Sequence, residues 1–475
     1  MEAEPLSQST KLRAAPRRAA ASVSVVLALA AGGLLRAWML GKFFEANGDT
    51  LVYGGIAKNL LLHGRYALTL SSGEVFPTLI RLPGYPLFLA ACFRLFGMDN
   101  YGAVAWVQIA LELAGCLLLA DFARRIAPPE LKAGAAQATL WLAALCPFTA
   151  VYAATPLTEG PTLFALALAL WAAARFQEKP GWGSALWFTF AVTCTALLRP
   201  DGALAAVALS PALFVSARGG GALTSAARSR IVRMALVCML LALTPFAAWT
   251  ARNWLVFHVF EPLVPASATD PGDPVYPGFD QWVKTWCLDF VCTYEVYWNL
   301  PGDTLDMTKV PGRAFDTPAE RKQTAVLFDE YNDNGFNVTP QIDQGFARLA
   351  RERVAAHTLR TYVGLPLGRV ADMWLRPRVE NLPIDLDWWV YAHHHVETRF
   401  SWFYAGLNGL YLCLGIAGLC RRPRIWQWML AYMLLRSTML LTVVAPEARY
   451  TLECFPMLFA LGGVAVSALV RKLAY

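Results

Sequence analysis

The residues with the clearest chemical potential lie between Gly48 and Phe96. A single carboxylate, Asp49, follows the first apolar stretch, and the segment Arg81-Leu82-Pro83-Gly84-Tyr85-Pro86 places a guanidinium and a phenol beside a rigid turn. An acid at the edge of a long apolar stretch is costly and often marks function. The pattern predicts an active-site loop. The structural alternative is that Asp49 caps the helix that follows it.

Other polar residues border apolar stretches far along the chain. Two or three acids with several arginines suit a reaction in which a base accepts a hydroxyl proton while guanidinium groups stabilise a phosphate leaving group. The substrate implied is an amphiphile whose phosphate lies at headgroup level. Alternatively, Arg199 and Arg252 anchor span ends at the interface, and Glu159 is a helix-start acid. The complete set is Asp49, Arg81, Glu159, Arg199, Asp201, Arg252, Glu447, Arg449 and Tyr450.

Membrane helices must position these residues, because 56% of the chain is hydrophobic, only 16% is charged and the mean hydropathy is +0.41. The composition predicts an all-α polytopic membrane protein. Apolar stretches long enough to cross a bilayer number about ten. They are residues 21–41, 102–121, 133–151, 160–175, 183–198, 202–217, 231–253, 401–420, 425–444 and 450–470.

Lys and Arg collect in alternate short connections, for example at Arg124-Arg125 and at Arg421-Arg422. Positive residues are retained in the cytoplasm during insertion, so both termini are predicted inside and two large loops outside. The net charge of +7 therefore reports topology, and no nucleic-acid partner is predicted. The predicted organisation is a basic cytoplasmic tail (1–20), a catalytic membrane module (21–257) with its first outer loop (42–101), an extracytoplasmic loop domain (258–400) and C-terminal membrane helices (401–475).

The two outer loops contain local helix signals. In the first, Leu51, Ile56 and Leu60 recur at helical spacing among polar residues, which predicts a helix lying in the membrane interface. In the second, helical patterns cover 318–331 and 340–376, and Thr317 followed by Pro318 is typical of a helix start. A disulfide between Cys287 and Cys292 is compatible with an oxidising compartment but is not specified by their spacing.

Two further features have competing interpretations. Glu112 lies within an apolar span, where an acid marks an ion path or a packed structural group; the second is favoured. The run His393-His394-His395 could contribute to a zinc site, but its spacing does not define one. We predict no metal site and no cofactor beyond the substrates, with a divalent metal as the alternative. Phosphate loops, HExxH and GxSxG motifs are missing from the sequence.

Several short motifs together resemble the GT-C membrane glycosyltransferases, in particular the branch of protein O-mannosyltransferases and lipid A aminoarabinose transferases. The resemblance covers about the first 260 and the last 80 residues. The motifs, in order, are Gly48-Asp49, His63-Gly64-Arg65-Tyr66, Arg81-Leu82-Pro83-Gly84-Tyr85-Pro86, Thr158-Glu159, Leu198-Arg199-Pro200, Arg252-Asn253 and Pro446-Glu447-Ala448-Arg449-Tyr450.

The resemblance implies a sugar donor on a polyprenyl phosphate, transfer on the outer face of the bacterial cytoplasmic membrane, and inversion at the anomeric carbon. It matches Asp49 to the family's first-loop acid, which acts as catalytic base or binds the acceptor. Thr50 stands where mannosyltransferases have a second acid, so Glu159 could supply the second carboxylate. The predicted substrate-binding residues are Arg81, Tyr85, Arg199, Arg252, Glu447, Arg449 and Tyr450.

The sugar is left open, and the acceptor could be a glycan, a lipid or a protein. Two other classes of protein remain as alternatives. One is a transporter or flippase for an amphiphilic lipid, with Glu112 as the coupling acid. Its expected midplane site and repeated halves are not seen in the sequence. The other is a non-catalytic subunit of an envelope-assembly complex.

Overall fold

The structure is a computed structural model that describes residues 6–214 and 225–474. The described chain is mainly helical, as predicted. Through residue 270 the helices are α1 (Leu6–Phe43), α2 (Asp49–His63), α3 (Gly84–Phe96), α4 (Tyr101–Ile126), α5 (Lys132–Ala144), α6 (Pro147–Ala153), α7 (Glu159–Glu178), α8 (Trp182–Leu198), α9 (Ala203–Leu209) and α10 (Ser225–Phe257). The later helices are α11 (Pro277–Lys284), α12 (Phe290–Glu295), α13 (Pro318–Asp333), α14 (Pro340–Ala356), α15 (Leu365–Leu375), α16 (His395–Cys420), α17 (Trp426–Leu440) and α18 (Phe455–Leu473).

Within the described residues, five helices are long and apolar enough to cross a membrane, and the bent pair α5–α6 would make a sixth. A multi-pass membrane protein is therefore confirmed, whereas the predicted number of ten spans is not. The five are Ser22–Phe43, Tyr101–Ile126, Ser229–Phe257, His395–Cys420 and Ala448–Leu473.

One predicted span, residues 202–217, is not a continuous helix. The described part consists of the seven-residue α9 between two short 3₁₀ turns, Pro200–Gly202 and Ser210–Leu213, and residues 215–217 lie outside the described chain. Proline lacks the amide hydrogen that a helix interior needs, so Pro200 and Pro211 fit the turns that flank α9.

The first outer loop contains a feature that the sequence analysis did not predict. Between α2 and α3, strands β1 (Ala67–Thr69) and β2 (Val75–Pro77) form an antiparallel hairpin in which Leu68 pairs with Phe76. The hairpin connects the helix that begins at Asp49 to the segment that contains Arg81. It therefore brings the motif that contains Asp49 close to the motif that contains Arg81.

The chain divides into two compact units. The first contains residues 1–270, 410–432 and 453–475. Its helices approach closely at small residues: a Cβ on Gly463 would lie 1.9 Å from the Thr139 hydroxyl, and one on Gly418 would lie 1.9 Å from the carbonyl oxygen of Leu461. Close backbone approach at small residues is typical of packed membrane helices.

The second unit contains residues 271–409 and 433–452. Its core is aromatic: Trp282 lies 5.2 Å from both Trp286 and Phe346, measured between ring centres, and all three are buried. Cys287 and Cys292 are joined by a disulfide beside this core. Thr317 caps α13 by accepting a hydrogen bond from the Glu320 amide, which confirms the predicted helix start.

Candidate active site

Asp49 and Arg81 form a direct ion pair in the first unit. The Oδ1 atom of Asp49 lies 2.7 Å from a terminal guanidinium nitrogen of Arg81. The N-cap of α2 is Gly48 at φ 47°, and no side chain caps the helix, so the carboxylate of Asp49 is directed to Arg81 instead of the helix end. The side chains of Asp49 and Arg81 are 39% and 22% exposed. The pair therefore remains accessible to a substrate.

Two tyrosines surround the Arg81 guanidinium. Its central carbon lies 5.6 Å from the centre of the Tyr53 ring, and the Tyr85 ring meets Tyr53 edge-on at 5.1 Å. The Tyr85 hydroxyl donates a hydrogen bond of 2.7 Å to Gln108. Burial lowers the pKa of Arg81, but Asp49 and Tyr53 outweigh that effect and raise it above its ordinary value. Arg81 is thus a permanent positive charge at this position.

Gly84 allows α3 to begin against the end of α8. A Cβ at this position would lie 2.6 Å from the carbonyl carbon and oxygen of Leu197, so any larger residue would push the two backbones apart. This contact brings the first outer loop to the segment that carries Arg199. The requirement for glycine in the Pro83-Gly84-Tyr85-Pro86 turn is therefore one of space.

Arg199 is the centre of a second charged cluster in the first unit. One terminal nitrogen lies 2.9 Å from Glu159, and its Nε lies 2.9 Å from Glu453 and 3.3 Å from Asp201. Glu159 and Glu453 are buried, so this guanidinium compensates acids that would be very costly alone. The sequence analysis missed Glu453, although a lone acid at the start of the last apolar stretch was a usable signal.

The two charged clusters share one environment. Thr50 donates a hydrogen bond of 3.2 Å to the carbonyl of Pro156, and Gln108 donates one of 3.0 Å to that of Thr155, which fixes the segment before Glu159. Burial raises the pKa of Tyr53 to about 12; Asp49 and Glu159 add to this rise, and Arg81 and Arg199 oppose it. Tyr53 therefore experiences the charges of both clusters.

Arg252 holds the first outer loop through backbone oxygens. Its terminal nitrogens donate to the carbonyls of Thr78 and Tyr66 at 2.8 and 2.7 Å. The guanidinium also lies over the rings of Tyr66 and Trp249, at 5.3 Å from each centre. Because its donors meet carbonyl oxygens of the loop, Arg252 is well placed to order the hairpin beside Arg81.

The remaining predicted residues, Glu447, Arg449 and Tyr450, lie together in the second unit. Arg449 binds both carboxylate oxygens of Glu447 at 2.7 and 3.0 Å, and the Tyr450 hydroxyl also donates to Glu447. Arg378 donates to the carbonyl of Ala448 and Arg436 to that of Tyr450. The three side chains therefore contact one another, and two further arginines donate hydrogen bonds to the backbone of the motif.

His394 is the only member of its histidine run in a potential metal-ligand group within the described residues. Ligand atoms of Asp385, Asp387 and His394 lie within 4.8 Å of one another, and a Glu397 oxygen lies 3.3 Å from Nδ1 of His394, the nitrogen that also faces Asp385. The ring nitrogens of His394 lie 3.4 Å from Asp385 and 3.0 Å from Asp387. The group belongs to the second unit, whereas the predicted catalytic residues belong to the first.

Glu112 is a packed acid. It lies 2.8 Å from Nε of Arg36, and both side chains are almost completely buried. Arg36 also donates to the carbonyls of Ala144 and Gly32, which ties α1 to α5. The structure therefore surrounds the mid-span acid with a fixed counter-charge, in agreement with the favoured interpretation of this residue.

The first unit therefore combines candidate membrane spans with buried and partly exposed acid–arginine pairs. Residues 81–249, about a third of the chain, match the family model of the dolichyl-phosphate-mannose-protein mannosyltransferases. This match over part of the chain agrees with the resemblance found from the motifs. The matched range includes Arg81, Tyr85, Glu159 and Arg199, and it ends just before Arg252.

Similar solved structures include ArnT from Cupriavidus metallidurans, bound to undecaprenyl phosphate or in the apo state. Both are 14% identical to this chain, and each match covers 95% of this chain and 78% of that chain. The TM-scores are 0.40 for the bound and 0.36 for the apo structure. No curated protein matches the chain.

Proposed function

We propose that the protein is a GT-C-type membrane glycosyltransferase that moves a sugar from a polyprenyl phosphate to an acceptor hydroxyl on the outer face of the bacterial cytoplasmic membrane, with Asp49 as general base. The observation that carries the proposal is the partly exposed Asp49–Arg81 pair, which shares the surroundings of Tyr53 with Arg199 and Glu159. A matching family named for dolichyl-phosphate-mannose supports a polyprenyl-type donor. Acceptors that fit the chemistry are a glycan, a lipid or a protein hydroxyl.

In the proposed reaction, the Asp49 carboxylate accepts the proton of the acceptor hydroxyl as its oxygen attacks the anomeric carbon. A new carbon–oxygen bond forms, and the bond from that carbon to the phosphate oxygen breaks with its electron pair on the phosphate. Attack opposite the leaving group inverts the anomeric carbon. Arg81 lies beside Asp49, where it can stabilise the departing phosphate as negative charge develops.

Glu159 has a positioning role in this scheme. Its carboxylate holds Arg199 at 2.9 Å, and it begins α7 directly after the segment fixed by Thr50 and Gln108. Arg199 is then a second cation for the donor phosphate. The scheme needs no metal, because arginine can bind phosphate oxygens through two donors at once.

The central test is Asp49→Asn in the purified full-length enzyme. Removal of a general base lowers turnover by about 100-fold or more. The side chain keeps its size, so folding and donor binding should be retained. A suitable control is Asp99→Asn. Asp99 is an exposed acid that lies between α3 and α4 and pairs with Lys58 of α2. Wild-type turnover in Asp49→Asn would exclude Asp49 as the base.

A second test concerns the face of the membrane. Single cysteines are introduced at Ser72, Asp306 and Ser225 in a background without reactive native thiols. Their accessibility to a thiol reagent should show on which side of the membrane each residue lies. Ser72→Cys and Asp306→Cys should react with an impermeant reagent in intact cells, and Ser225→Cys only after permeabilisation. The reason is the distribution of Lys and Arg among the short connections. Labelling of Ser225→Cys from outside would invert the topology and remove the outer site.

A further inference from the structure

Helix α15 and the turn before it have an unusual distribution of polarity. The π-helical turn Arg360–Gly364 leads directly into α15, which lies in the second unit. From residue 359 to 375, every side chain or glycine that is exposed is apolar or aromatic. These exposed positions are Leu359, Tyr362, Val363, Gly364, Leu367, Ala371 and Leu375. They recur mostly every four residues and so form one continuous stripe.

The charged residues of the same segment face the protein. Arg369 is 1% exposed and donates to the carbonyl oxygens of Cys287 and Lys284. Arg360 binds Asp316 through two hydrogen bonds of 2.7 Å. At Gly368, a Cβ would lie 2.6 Å from Leu288, so this side of the helix is also packed closely. The distribution of apolar and charged side chains is the reverse of that on a surface helix of a water-soluble protein.

Helix α13 of the same unit shows the ordinary arrangement. Its buried positions include Phe328 and Tyr331, whereas its exposed positions are mainly charged or polar. A single large apolar residue, Val326, is exposed there, and isolated exposed apolar residues are normal. The inverted stripe therefore belongs to one segment and is not general to the unit.

Contacts at the C-terminal end of α15 place it beside the candidate membrane span α16 and beside α17. Asn408 donates a hydrogen bond of 2.7 Å to the carbonyl of Trp374, and the Trp374 indole donates one of 3.1 Å to Ser437. Asn408 lies 13 residues inside the candidate span His395–Cys420, about 20 Å along the helix at 1.5 Å per residue. Since the hydrocarbon core is about 30 Å thick, this contact falls at membrane depth.

We infer that the stripe Leu359–Leu375 lies against the lipid of the outer leaflet. Helix α15 is then an interfacial or partly embedded helix within the segment that the sequence analysis predicted as an extracytoplasmic loop domain (258–400). Lipid is the occupant that fits a stripe without exposed charge next to a spanning helix. Tyr362 fits the same location, since tyrosine is enriched at membrane interfaces. This inference is independent of the proposed sugar transfer.

The experiment compares two equally apolar exposed positions. Leu367 is 57% exposed on the stripe, and Val326 is 48% exposed on α13. In the full-length protein, reconstituted in phosphatidylcholine–phosphatidylglycerol nanodiscs, nitroxide labels are attached to Leu367→Cys and, separately, to Val326→Cys. The exposed native thiols Cys413 and Cys420 are replaced by serine. Collision with oxygen, which concentrates in lipid, is compared with collision with a water-soluble nickel chelate.

The logarithm of the oxygen-to-nickel ratio should be positive at residue 367 and negative at residue 326. A negative value at both positions would mean that water covers the stripe and would overturn the inference. Protection of residue 367 from both reagents would also overturn it, because a protein surface such as a second copy would then be the occupant. Labels at Val363→Cys repeat the test at another position of the stripe, so one misfolded variant does not decide the result.

Discussion

Two acid–arginine pairs of nearly equal length differ in what they can do. Glu112 and Arg36 are 2.8 Å apart, and Asp49 and Arg81 are 2.7 Å apart. The side chains of the first pair are 3% and 1% exposed, whereas those of the second are 39% and 22% exposed. A distance alone therefore does not separate a structural pair from a reactive one. Access to a substrate does.

The surroundings of the two pairs lead to the same distinction. Arg36 is fixed by two backbone carbonyls in addition to Glu112, and the cavity beside the pair has a volume of about 30 Å³, room for a water molecule but not for a sugar. Asp49 is the first residue of α2, and its partner Arg81 lies over the ring of Tyr53. Of the two pairs, the second is the one whose side chains are exposed enough to meet a substrate.

The largest effect is expected for the closed pair, and it is on stability. Glu112→Gln leaves the Arg36 charge buried without its counter-charge, which should lower the free energy of unfolding by about 3–5 kcal/mol. Thermal unfolding of the purified protein in mild detergent measures this loss. Turnover per folded molecule should stay at the wild-type level, because the Glu112 carboxylate is held by Arg36 in a buried site.

A double variant separates charge from packing. Arg36→Met combined with Glu112→Leu removes both charges and keeps apolar volume, so it should recover much of the stability lost in Glu112→Gln. If Glu112→Gln is stable but inactive, Glu112 has a chemical role. The comparison between the two pairs would then fail, and the transporter alternative with a coupling acid would gain support.

A smaller effect is expected for the arginines that are predicted to bind the donor phosphate, and it is an effect on substrate binding. The arginines that hold the donor phosphate should be among Arg81, Arg199, Arg252 and Arg449. Replacement of a true ligand by Ala should weaken binding of a polyprenyl phosphate by about 1.5–3 kcal/mol, the range for hydrogen bonds to charged groups. The geometry favours Arg81 over Arg252, because the donors of Arg252 meet loop carbonyls.

Direct binding of the polyprenyl phosphate to each detergent-purified variant measures the effect. Arg175→Ala is a matched control, since Arg175 stacks on Trp171 near the end of α7 that is opposite Glu159. Unchanged binding in all four single variants would place the phosphate site elsewhere. Loss of binding in Arg252→Ala alone would show that ordering of the hairpin matters more than direct contact.

Much of the architecture could be predicted because the hydrophobic pattern decides it. Long apolar runs indicate α4, α10 and α16 without any tertiary information, and the Thr317 cap is encoded by its own local sequence. The hairpin between α2 and α3 was not predicted, since its strands have only three residues each. Such short strands carry almost no periodic signal.

The pairing of charged residues required tertiary structure. Sequence placed Asp49, Arg81, Glu159 and Arg199 at one boundary, but it could not show which acid meets which arginine. Glu453 joins Arg199 from a position more than 250 residues away, which no local spacing encodes. The inverted polarity of α15 was hidden for a similar reason, because the burial of Arg369 depends on carbonyls from residues 284 and 287.

The smallest effect is expected for a third pair of the same length, which lies in the second unit and is partly exposed. Asp316 accepts two hydrogen bonds of 2.7 Å from Arg360, and the two side chains are 24% and 35% exposed. These bonds, chiefly those from Arg360, lower the pKa of Asp316 below its ordinary value of 3.8. A lowered pKa means that the stabilisation is complete above pH 3.8 and is lost as the pH falls through the folded-state pKa. Asp316→Asn should therefore lower the free energy of unfolding at pH 7 by about 0.2–1 kcal/mol, as exposed pairs do, and the difference from wild type should vanish in acid. Denaturant unfolding at both pH values checks this. A loss as large as that of Glu112→Gln would show that burial does not set the strength of these pairs.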